Sequence, residues 1–235
     1  MQNKKILAII PARGGSKRIP RKNIKDFLGK PIIAYSIEAA LNSRLFDEVM
    51  VSTDDEEIAR VAKKYGASVP FMRSEKNSND HATTADVIEE VLAGYEEKSI
   101  KFDIFCCIYP TAPLIDGATL KNCCTLLIDE KFDSVFPIVR FGYPIQRALK
   151  MTGSKIEMMW PENMNTRSQD LPAAYHDSGQ FYWMWKDAFL RNKKLFEKNS
   201  GAVILDNLLV QDIDNLEDWK LAEFKYEFIN KNKKS

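Results

Sequence analysis

Short apolar runs alternate along this chain with segments whose apolar residues recur every three or four positions, and this alternation limits the folds open to it. We predict strands at residues 5–10, 48–52, 68–71, 102–108, 134–139, 179–185 and 209–213. We predict helices at residues 31–42, 56–65, 83–97, 120–130 and 217–230. Strands that alternate with helices are typical of a largely parallel sheet with helical crossovers. We therefore expect residues 1–235 to form a single α/β domain on a Rossmann-like, doubly wound, mainly parallel sheet.

The alternation breaks at about residues 141–177. This segment lacks a good crossover helix, but residues 148–159 contain two short β-prone runs separated by a turn at Gly153. A glycine turn between such runs is typical of a β-hairpin. We interpret the segment as an insertion into the domain, an arm that packs against a partner subunit.

Charge and hydropathy exclude several functional classes. The chain has 34 lysines and arginines against 33 acidic residues, a net charge of +1, which is not typical of a nucleic-acid coat or a membrane-surface protein. No apolar run approaches the length of a membrane span, and the first ten residues are too short for a secretory signal. His81 and His176 are too few for a histidine-rich metal site.

The four cysteines occur as two adjacent pairs, Cys106–Cys107 and Cys123–Cys124. Adjacent cysteines lack the C-x-x-C spacing of zinc sites, and neighbours on a strand point to opposite faces. We expect all four to be reduced core residues of a cytoplasmic protein.

A cationic segment that contains glycines, PARGGSKRIPRKN at residues 11–23, follows the first predicted strand directly. Gly14 and Gly15 let the backbone turn its amides toward a phosphate, and Arg13, Lys17 and Lys22 add positive charge. The segment matches neither G-x-x-x-x-G-K-[ST] nor G-x-G-x-x-G, which argues against a Walker A loop and against a nicotinamide-dependent oxidoreductase. A solvated basic loop is the alternative, but the position after the first strand favours phosphate binding.

An acidic doublet, Asp212 and Asp214, lies near the end of the chain. Carboxylates two residues apart on an extended segment point the same way, so both can approach one hard cation such as Mg²⁺. The alternative is structural, with Asp214 capping a helix at 215–219 and Asp212 merely solvated.

A polar stretch at residues 165–182 offers groups suited to a sugar acid. The guanidinium of Arg167 matches a carboxylate in two-point fashion. Candidate partners for sugar hydroxyls are Gln169, Gln180 and Tyr182. The alternative is a polar loop that leads into a strand, with Phe181 and Trp183 as core residues.

Together these motifs resemble the acylneuraminate cytidylyltransferase family, over nearly the whole chain from Ile10 to the closing helix. The shared motifs are ARGGSKRIPRKN at 12–23, STD at 52–54, PTAP at 110–113 and DID at 212–214. Within the family, residues 143–149, 160–163 and 167–183 are most similar to pseudaminic acid cytidylyltransferases. Sialic acid enzymes have a glutamine before the PTAP-like turn and an arginine after it, where this chain has Tyr109 and Ile115.

The resemblance implies the nucleotide-diphospho-sugar transferase fold, with a dimerisation arm at about 141–177 that covers the partner's site in a homodimer. It implies transfer of CMP from CTP to a nonulosonic acid, with pseudaminic acid as the favoured substrate, Mg²⁺ as cofactor and pyrophosphate as product. The alternatives are legionaminic acid, N-acetylneuraminic acid or Kdo as substrate, or a non-catalytic nucleotide sensor. The glycan destination implied for pseudaminic acid is bacterial flagellin or a surface glycan.

The site residues that follow from the resemblance fall into four sets. Those expected to bind the nucleotide are Ala12, Arg13, Gly14, Gly15, Ser16, Lys17, Lys22, Asn23, Arg73, Asp80 and Thr84. Those expected to bind the sugar acid are Tyr109, Arg167, Gln169, Asp177, Gln180 and Tyr182. Asp212 and Asp214 are the expected metal ligands, and Lys22, Asp214 and Arg13 the expected catalytic residues. His176 and Asp177 are alternatives to Asp214 for the deprotonation of the attacking hydroxyl.

Overall fold

The computed structural model describes residues 4–232. Its strands are β1 (Ile6–Pro11), β2 (Asp26–Phe27), β3 (Lys30–Pro31), β4 (Glu48–Ser52), β5 (Ile104–Ile108), β6 (Ser134–Arg140), β7 (Leu149–Thr152), β8 (Lys155–Met158), β9 (Tyr175–Asp177), β10 (Phe181–Trp185) and β11 (Ser200–Leu205). Its α-helices are α1 (Ile32–Ser43), α2 (Glu56–Lys64), α3 (Thr84–Glu97), α4 (Gly117–Asp129), α5 (Lys186–Asn192) and α6 (Leu216–Asn232). Most predicted elements are present within a few residues of their predicted bounds.

The main sheet has the strand order β11-β6-β10-β5-β1-β4, with β9 also paired to β6. Strands β4, β1 and β5 are parallel, and Ile9 of β1 lies between Met50 and Cys107. Strand β11 is parallel to β6, whereas β10 and β9 run antiparallel to the strands they pair with. The prediction of a mainly parallel sheet is confirmed.

Helices cover both faces of this sheet. On one face, Ile37 of α1, Ile58 of α2 and Leu120 of α4 pack into one buried cluster. On the other face, Ile88 of α3 and Phe189 of α5 belong to a second cluster. Two helical layers on one sheet are the doubly wound arrangement that the alternation of elements predicted.

The cysteines lie in this core as predicted. Cys106 and Cys107 are neighbours on β5, yet Cys106 belongs to the cluster under α1 and α4 and Cys107 to the cluster under α3. Cys123 and Cys124 lie on α4, and all four thiols are free and buried. Burial raises the pKa of the Cys107 thiol to about 12, so this group is a packing residue rather than a nucleophile.

Side-chain caps set where the crossover helices begin. Asp55 accepts hydrogen bonds from two amides in the first turn of α2, and Thr83 forms a capping box with Asp86 at the start of α3. Asp116 caps α4, which therefore begins at Gly117, three residues before the predicted start at residue 120.

Two predicted strands are wrong. Residues 68–71 form only an isolated bridge, between Ser68 and Met50. Residues 209–213 do not join the sheet, because side chains hold their carbonyls: Gln180 Nε2 donates to Leu209 O at 2.6 Å and Lys225 Nζ donates to Val210 O at 2.6 Å. The final strand is instead β11, which was not predicted, and neither was the seven-residue helix α5.

The predicted hairpin is confirmed within the segment 141–177. Strands β7 and β8 pair antiparallel, and Gly153 at their turn has φ +61°. The hairpin is strongly exposed, with side chains such as Met151 and Ile156 at 74% and 63% exposure. In residues 4–232, no helix is long and apolar enough to cross a membrane.

Candidate active site

A cleft opens where β1 and β5 end. It has a volume of about 400 Å³ and is lined by the segment after β1 and by Pro110 and Thr111 after β5. Ala12 is fully buried at its base and donates from its backbone N–H to Ser52 O at 2.9 Å. Ligands of doubly wound sheets bind at this carboxyl edge, so the cleft lies where the sequence predicts it.

The glycines of the segment act differently from the prediction. A Cβ atom at Gly14 would lie 2.8 Å from Asp55 Oδ2, so a larger residue there would displace the Asp55 side chain. The Gly14 N–H donates to Asp54 Oδ1 at 2.9 Å, and the Ser16 N–H donates to Gly14 O at 3.0 Å. Gly15 has open space around it. Two of the amides that were expected to face a phosphate are therefore directed at groups of the protein itself.

Two cations of the segment share one aspartate. Arg13 NH1 lies 2.7 Å from Asp80 Oδ1, and the Lys17 ammonium pairs with the other oxygen of Asp80. The hydrogen bonds from Lys17 and Arg13 lower the pKa of the Asp80 carboxyl. Asn23 Nδ2 donates to Arg13 O at 2.9 Å and fixes the backbone beneath these charges. The structure thus brings four of the predicted nucleotide-binding residues together.

Arg21 fixes the C-terminal part of the cationic segment 11–23 to the start of α2. Its backbone is left-handed, with φ +55°, and its guanidinium pairs with Asp55 and Glu57 at the start of α2. The hydrogen bond from Arg21, followed by the amides of α2, lowers the pKa of Asp55 to about 2. Asp55 therefore joins the segment to α2, a role that the sequence analysis did not find.

The acidic doublet meets this segment. Lys22 Nζ donates to Ile213 O at 2.7 Å, and Arg18 NH1 lies 2.7 Å from Asp214 Oδ2. Burial lowers the pKa of the Lys22 ammonium, while the nearby carboxylates of Asp214 and Asp212 act in the opposite direction. The predicted convergence of the cationic segment and the doublet is present in the fold.

The doublet has suitable chemistry for a divalent cation. Ile213 is 1% exposed, whereas Asp212 is exposed and Asp214 half-buried, so the chain directs the residues on either side of Ile213 away from the core. Two carboxylates fit Mg²⁺, which completes its coordination with water and phosphate oxygens. Residues 4–232 hold no group of three or more His, Cys, Asp or Glu side chains that could bind a metal alone. Asp212 and Asp214 are the residues that would hold such an ion.

The capping alternative for Asp214 is wrong. Asn215 Oδ1 accepts from the amides of Glu217 and Asp218, at 2.8 and 3.0 Å, and so caps α6. The Asp214 N–H donates to Asp218 Oδ2 at 2.9 Å. Because Asn215 performs the capping, the carboxylate of Asp214 is not used as a helix cap, and its partner is Arg18.

Two of the predicted ligand-binding residues, Arg73 and Gln180, are buried in structural contacts. Arg73 is 8% exposed, and its Nε donates to Ser52 Oγ at 3.0 Å. Burial lowers the pKa of this guanidinium. Gln180 is 3% exposed and holds Leu209 through its amide nitrogen. In this structure both predicted ligand-binding residues fix the ends of strands or loops.

A chain of hydroxyl groups lies beside the cleft. Thr84 Oγ1 is 3.4 Å from Tyr109 OH, and the rings of Tyr109 and Tyr182 pack edge to face at 5.7 Å. Tyr182 OH donates to Asp177 Oδ2 at 2.5 Å, and Asp177 also accepts from the Gly179 N–H. Burial raises the pKa of both tyrosines, so they remain neutral hydrogen-bonding groups.

The remaining predicted sugar-binding residues lie in the arm. Arg167 is 73% exposed, and its Nε donates to Asp170 Oδ2 at 2.8 Å. Gln169 lines a separate cavity of about 460 Å³ together with Tyr143. His176, the alternative base, donates from Nδ1–H to the carbonyl oxygen of Asp177 at 2.8 Å. The fold of one chain does not bring Arg167 or Gln169 into the lining of the cleft at the end of β1.

Comparison with known proteins identifies the family. The family model described as "Cytidylyltransferase" matches residues 7–229. The chain belongs to the cytidylyltransferase family. This cytidylyltransferase is 45% identical over 223 residues to the pseudaminic acid cytidylyltransferase of Campylobacter jejuni. The match covers 94% of this chain and 96% of the Campylobacter jejuni protein. It is 32% identical over 222 residues to the CMP-N,N'-diacetyllegionaminic acid synthase of Legionella pneumophila. That match covers 93% of this chain and 95% of the Legionella pneumophila protein.

Solved structures show the same fold. The CMP:2-keto-3-deoxy-manno-octonic acid synthetase complexed with CTP matches this cytidylyltransferase with a TM-score of 0.67. The match covers 97% of this chain and 99% of that chain at 18% identity. The comparison agrees with the predicted nucleotidyltransferase fold, and the family model identifies the chain as a nucleotidyltransferase.

Sequence reasoning missed three residues that shape the cleft of this cytidylyltransferase. Arg18 contacts Asp214, Arg21 contacts Asp55, and Lys225 Nζ donates to Val210 O just before the doublet. The surplus of cations between residues 13 and 30 was visible in the sequence, but it does not show which carboxylate each cation contacts. For Lys225 the sequence contains no signal, because its position on α6 is that of an ordinary surface lysine.

Proposed function

We propose that this cytidylyltransferase transfers CMP from CTP to the anomeric hydroxyl of a nine-carbon, sialic-acid-like sugar acid, and that this acid is pseudaminic acid. The observation that carries the proposal is the pair of contacts from Lys22 to Ile213 O and from Arg18 to Asp214. Through these contacts the cationic segment lies next to the acidic doublet, an arrangement that suits a nucleoside triphosphate with a divalent cation.

In the proposed complex the triphosphate lies along the segment after β1. Arg13 and Lys17, which pair with Asp80 in the free chain, turn to phosphate oxygens. Lys22, which donates to the carbonyl of Ile213 between the two carboxylates, stabilises the charge that develops on the α-phosphate. Asn23, Arg73 and Thr84 lie toward the nucleoside end. Positioning and charge neutralisation supply most of the acceleration.

The reaction forms a bond between the anomeric oxygen and the α-phosphorus and breaks the α–β phosphoanhydride bond, so pyrophosphate leaves. When bound at Asp212 and Asp214, Mg²⁺ would neutralise charge on the phosphate oxygens. Asp214 accepts the proton of the attacking hydroxyl, directly or through water. Asp177 and His176, which lie outside the doublet, are the alternatives to Asp214 for accepting this proton.

The sugar acid is proposed to lie against the hydroxyl chain of Tyr109, Tyr182 and Asp177. The buried, neutral tyrosine hydroxyls suit hydroxyl or amide groups of a sugar. Arg167 and Gln169 reach the sugar only if an arm is brought to the cleft, and we propose that the partner subunit of a homodimer brings it. Exposed apolar side chains on the arm support this: Tyr143, Leu149, Met151, Ile156, Met159 and Met164.

The choice of pseudaminic acid rests on the 45% identity to the Campylobacter jejuni enzyme, against 32% to the legionaminic acid synthase. Residues 1–235 act as one domain with the arm inserted in it. We place the enzyme in the cytoplasm, because its free, buried thiols suit a reducing compartment.

The test is to incubate the protein with CTP and Mg²⁺ and, in parallel, pseudaminic, legionaminic, N-acetylneuraminic acid or Kdo. Pyrophosphate and the CMP-linked product are measured together. We expect product with pseudaminic acid at a rate at least about tenfold above the other acids, a difference of about 1.4 kcal/mol in transition-state binding. A higher rate with another acid would contradict the assignment of pseudaminic acid as the substrate. CTP binding without product from any acid would indicate a nucleotide sensor.

A further inference from the structure

Arg18 occupies a position that conflicts with the proposed metal site. Its NH1 atom lies 2.7 Å from Asp214 Oδ2, and the two side chains are 70% and 45% exposed. Arg18 also lines the cleft at the end of β1, beside Lys17 and Lys22. One cation therefore lies within reach of both the doublet and the space assigned to the triphosphate.

A guanidinium and a divalent cation compete for the same carboxylate. The charge of Arg18 repels a second cation at Asp214, and the ion pair occupies one of its two oxygens. Lys22 differs from Arg18, because its ammonium is partly buried and donates to the carbonyl of Ile213 rather than to a carboxylate. Arg18 is thus the cation that can leave the doublet by rotation of an exposed side chain.

We infer that Arg18 is a positioning residue that makes binding of the divalent cation depend on the triphosphate. Without nucleotide, Arg18 pairs with Asp214 and weakens cation binding at the doublet. When a triphosphate enters, Arg18 turns to its outer phosphates and leaves Asp214 free. This inference rests on the proposed function, since it assigns the cleft to CTP.

Thermodynamic linkage makes the inference quantitative. If the triphosphate releases Asp214 from Arg18, then CTP and the cation increase each other's affinity by the same factor. Removal of the Arg18 charge should strengthen cation binding to the nucleotide-free chain and weaken CTP binding in the absence of a cation. For a solvent-exposed contact we expect each change to be about fivefold at low ionic strength and smaller at high salt.

The first measurement is a titration of the nucleotide-free protein with Mn²⁺. The electron paramagnetic resonance signal of free Mn²⁺ reports how much of the ion is bound. Arg18→Gln should bind Mn²⁺ about fivefold more tightly than the wild type, whereas Arg18→Lys should resemble the wild type. Arg191→Gln is the matched control, because it removes another exposed arginine–aspartate pair, with Asp133 at 2.9 Å, at the start of β6. Asp214→Asn should lose the site and so locates it.

The second measurement is CTP binding by calorimetry in the presence of EDTA. Arg18→Gln should bind CTP about fivefold more weakly than the wild type, and Arg191→Gln should not differ from it. Equal Mn²⁺ affinity of Arg18→Gln and the wild type would overturn the inference, as would equal CTP affinity in EDTA. If the wild type binds no CTP at all, the proposed function fails as well, so the two failures are distinguishable.

Discussion

The segment after β1 and the arm differ in how their functional side chains are held. Lys22 contacts a residue 191 positions away in the chain, and Arg13 contacts Asp80, 67 positions away. In the arm, Arg167 contacts Asp170, three residues away, and Tyr143 is 88% exposed. The proposed nucleotide half of the site is therefore built by long-range contacts within one chain, whereas Arg167, a proposed sugar-binding residue of the arm, is held by a local contact.

This difference suggests that the segment after β1 and the arm serve different ligands. Contacts between distant segments, such as those made by Lys22 and Asn23, hold the backbone of the proposed phosphate site, which favours the positioning that phosphoryl transfer needs. An exposed apolar hairpin is instead suited to packing against a partner surface. Changes in the segment after β1 should then affect CTP and turnover, and changes in the arm should affect the sugar acid and the dimer.

The largest expected effect lies in the nucleotide half. Asp214→Asn should keep the fold but lower kcat by about 100-fold or more, because it removes a charge next to the reacting phosphate. Pyrophosphate release at saturating Mg²⁺ measures kcat, and thermal unfolding reports the fold. Asp129→Asn, an exposed aspartate at the end of α4, is the control. Near-normal release from Asp214→Asn would refute the assignment.

The next effect concerns the arm. Met151 and Ile156 are cross-strand partners on the hairpin, and both are exposed. Changing both to glutamate should dissociate the dimer and lower kcat/KM for the sugar acid by about tenfold, while the Kd for CTP stays within about twofold. Light scattering after size-exclusion chromatography and calorimetry check these expectations.

The control for the arm lies on the same hairpin. Lys150 and Glu157 form an exposed ion pair at 3.0 Å, so exchanging the two residues alters the surface without touching the apolar pair. This exchange should leave the dimer intact. A Met151→Glu, Ile156→Glu protein that stays dimeric with unchanged sugar kinetics would contradict the division between the two halves.

A smaller effect is expected at Arg167. Arg167→Ala should raise KM for the sugar acid by up to about tenfold and leave KM for CTP unchanged, because the guanidinium is proposed to bind the sugar carboxylate. Arg167→Lys should recover only part of the loss, since an ammonium lacks the two-point geometry. Asp170→Asn, which removes the partner of Arg167 within the arm, should have little effect. An equal rise in KM for CTP would place Arg167 in the nucleotide half.

The smallest effect is on stability. The folded-state pKa of Asp55, about 2, lies below its ordinary value, so its ionised form is favoured by folding. Its contribution is present above about pH 4 and is lost as the pH falls toward 2. Asp55→Asn should lower the free energy of unfolding by about 1–2 kcal/mol at pH 7. The difference from the wild type, measured by denaturant titration, should shrink between pH 4 and pH 2.

Glu57→Gln provides the comparison for Asp55. Glu57 also meets Arg21, but its side chain is 56% exposed and caps no helix. We expect its effect on the free energy of unfolding to be below about 1 kcal/mol. If Asp55→Asn were no more destabilising than Glu57→Gln, Asp55 would not join the segment to α2.

The elements that could be predicted are those whose signal is local. Strand β5 is apolar at every position, and α3 carries its own capping box, so both appear in the sequence. The run at 209–213 resembles a strand equally well, but Gln180 and Lys225 bind its carbonyls from elsewhere in the fold. Such a contact between distant residues cannot be inferred from the periodicity of one segment.

The same limit applies to the site. The position of the cationic segment and of the acidic doublet could be predicted because each has a distinctive local composition. That Gly14 lies against the carboxylate of Asp55, and that Asp80 pairs with both Arg13 and Lys17, depends on how the loops after β1, after β4 and before α3 meet. The sequence thus identifies the chemical groups, and the fold determines which of them are neighbours.

The most direct test of the account is calorimetric titration of CTP into the wild type and into a protein with both Asp212→Asn and Asp214→Asn, each with and without Mg²⁺. The account predicts that Mg²⁺ strengthens CTP binding to the wild type by about tenfold or more and has little effect on the double variant. An equal effect of Mg²⁺ on the two proteins would show that the cationic segment and the doublet do not hold the same nucleotide.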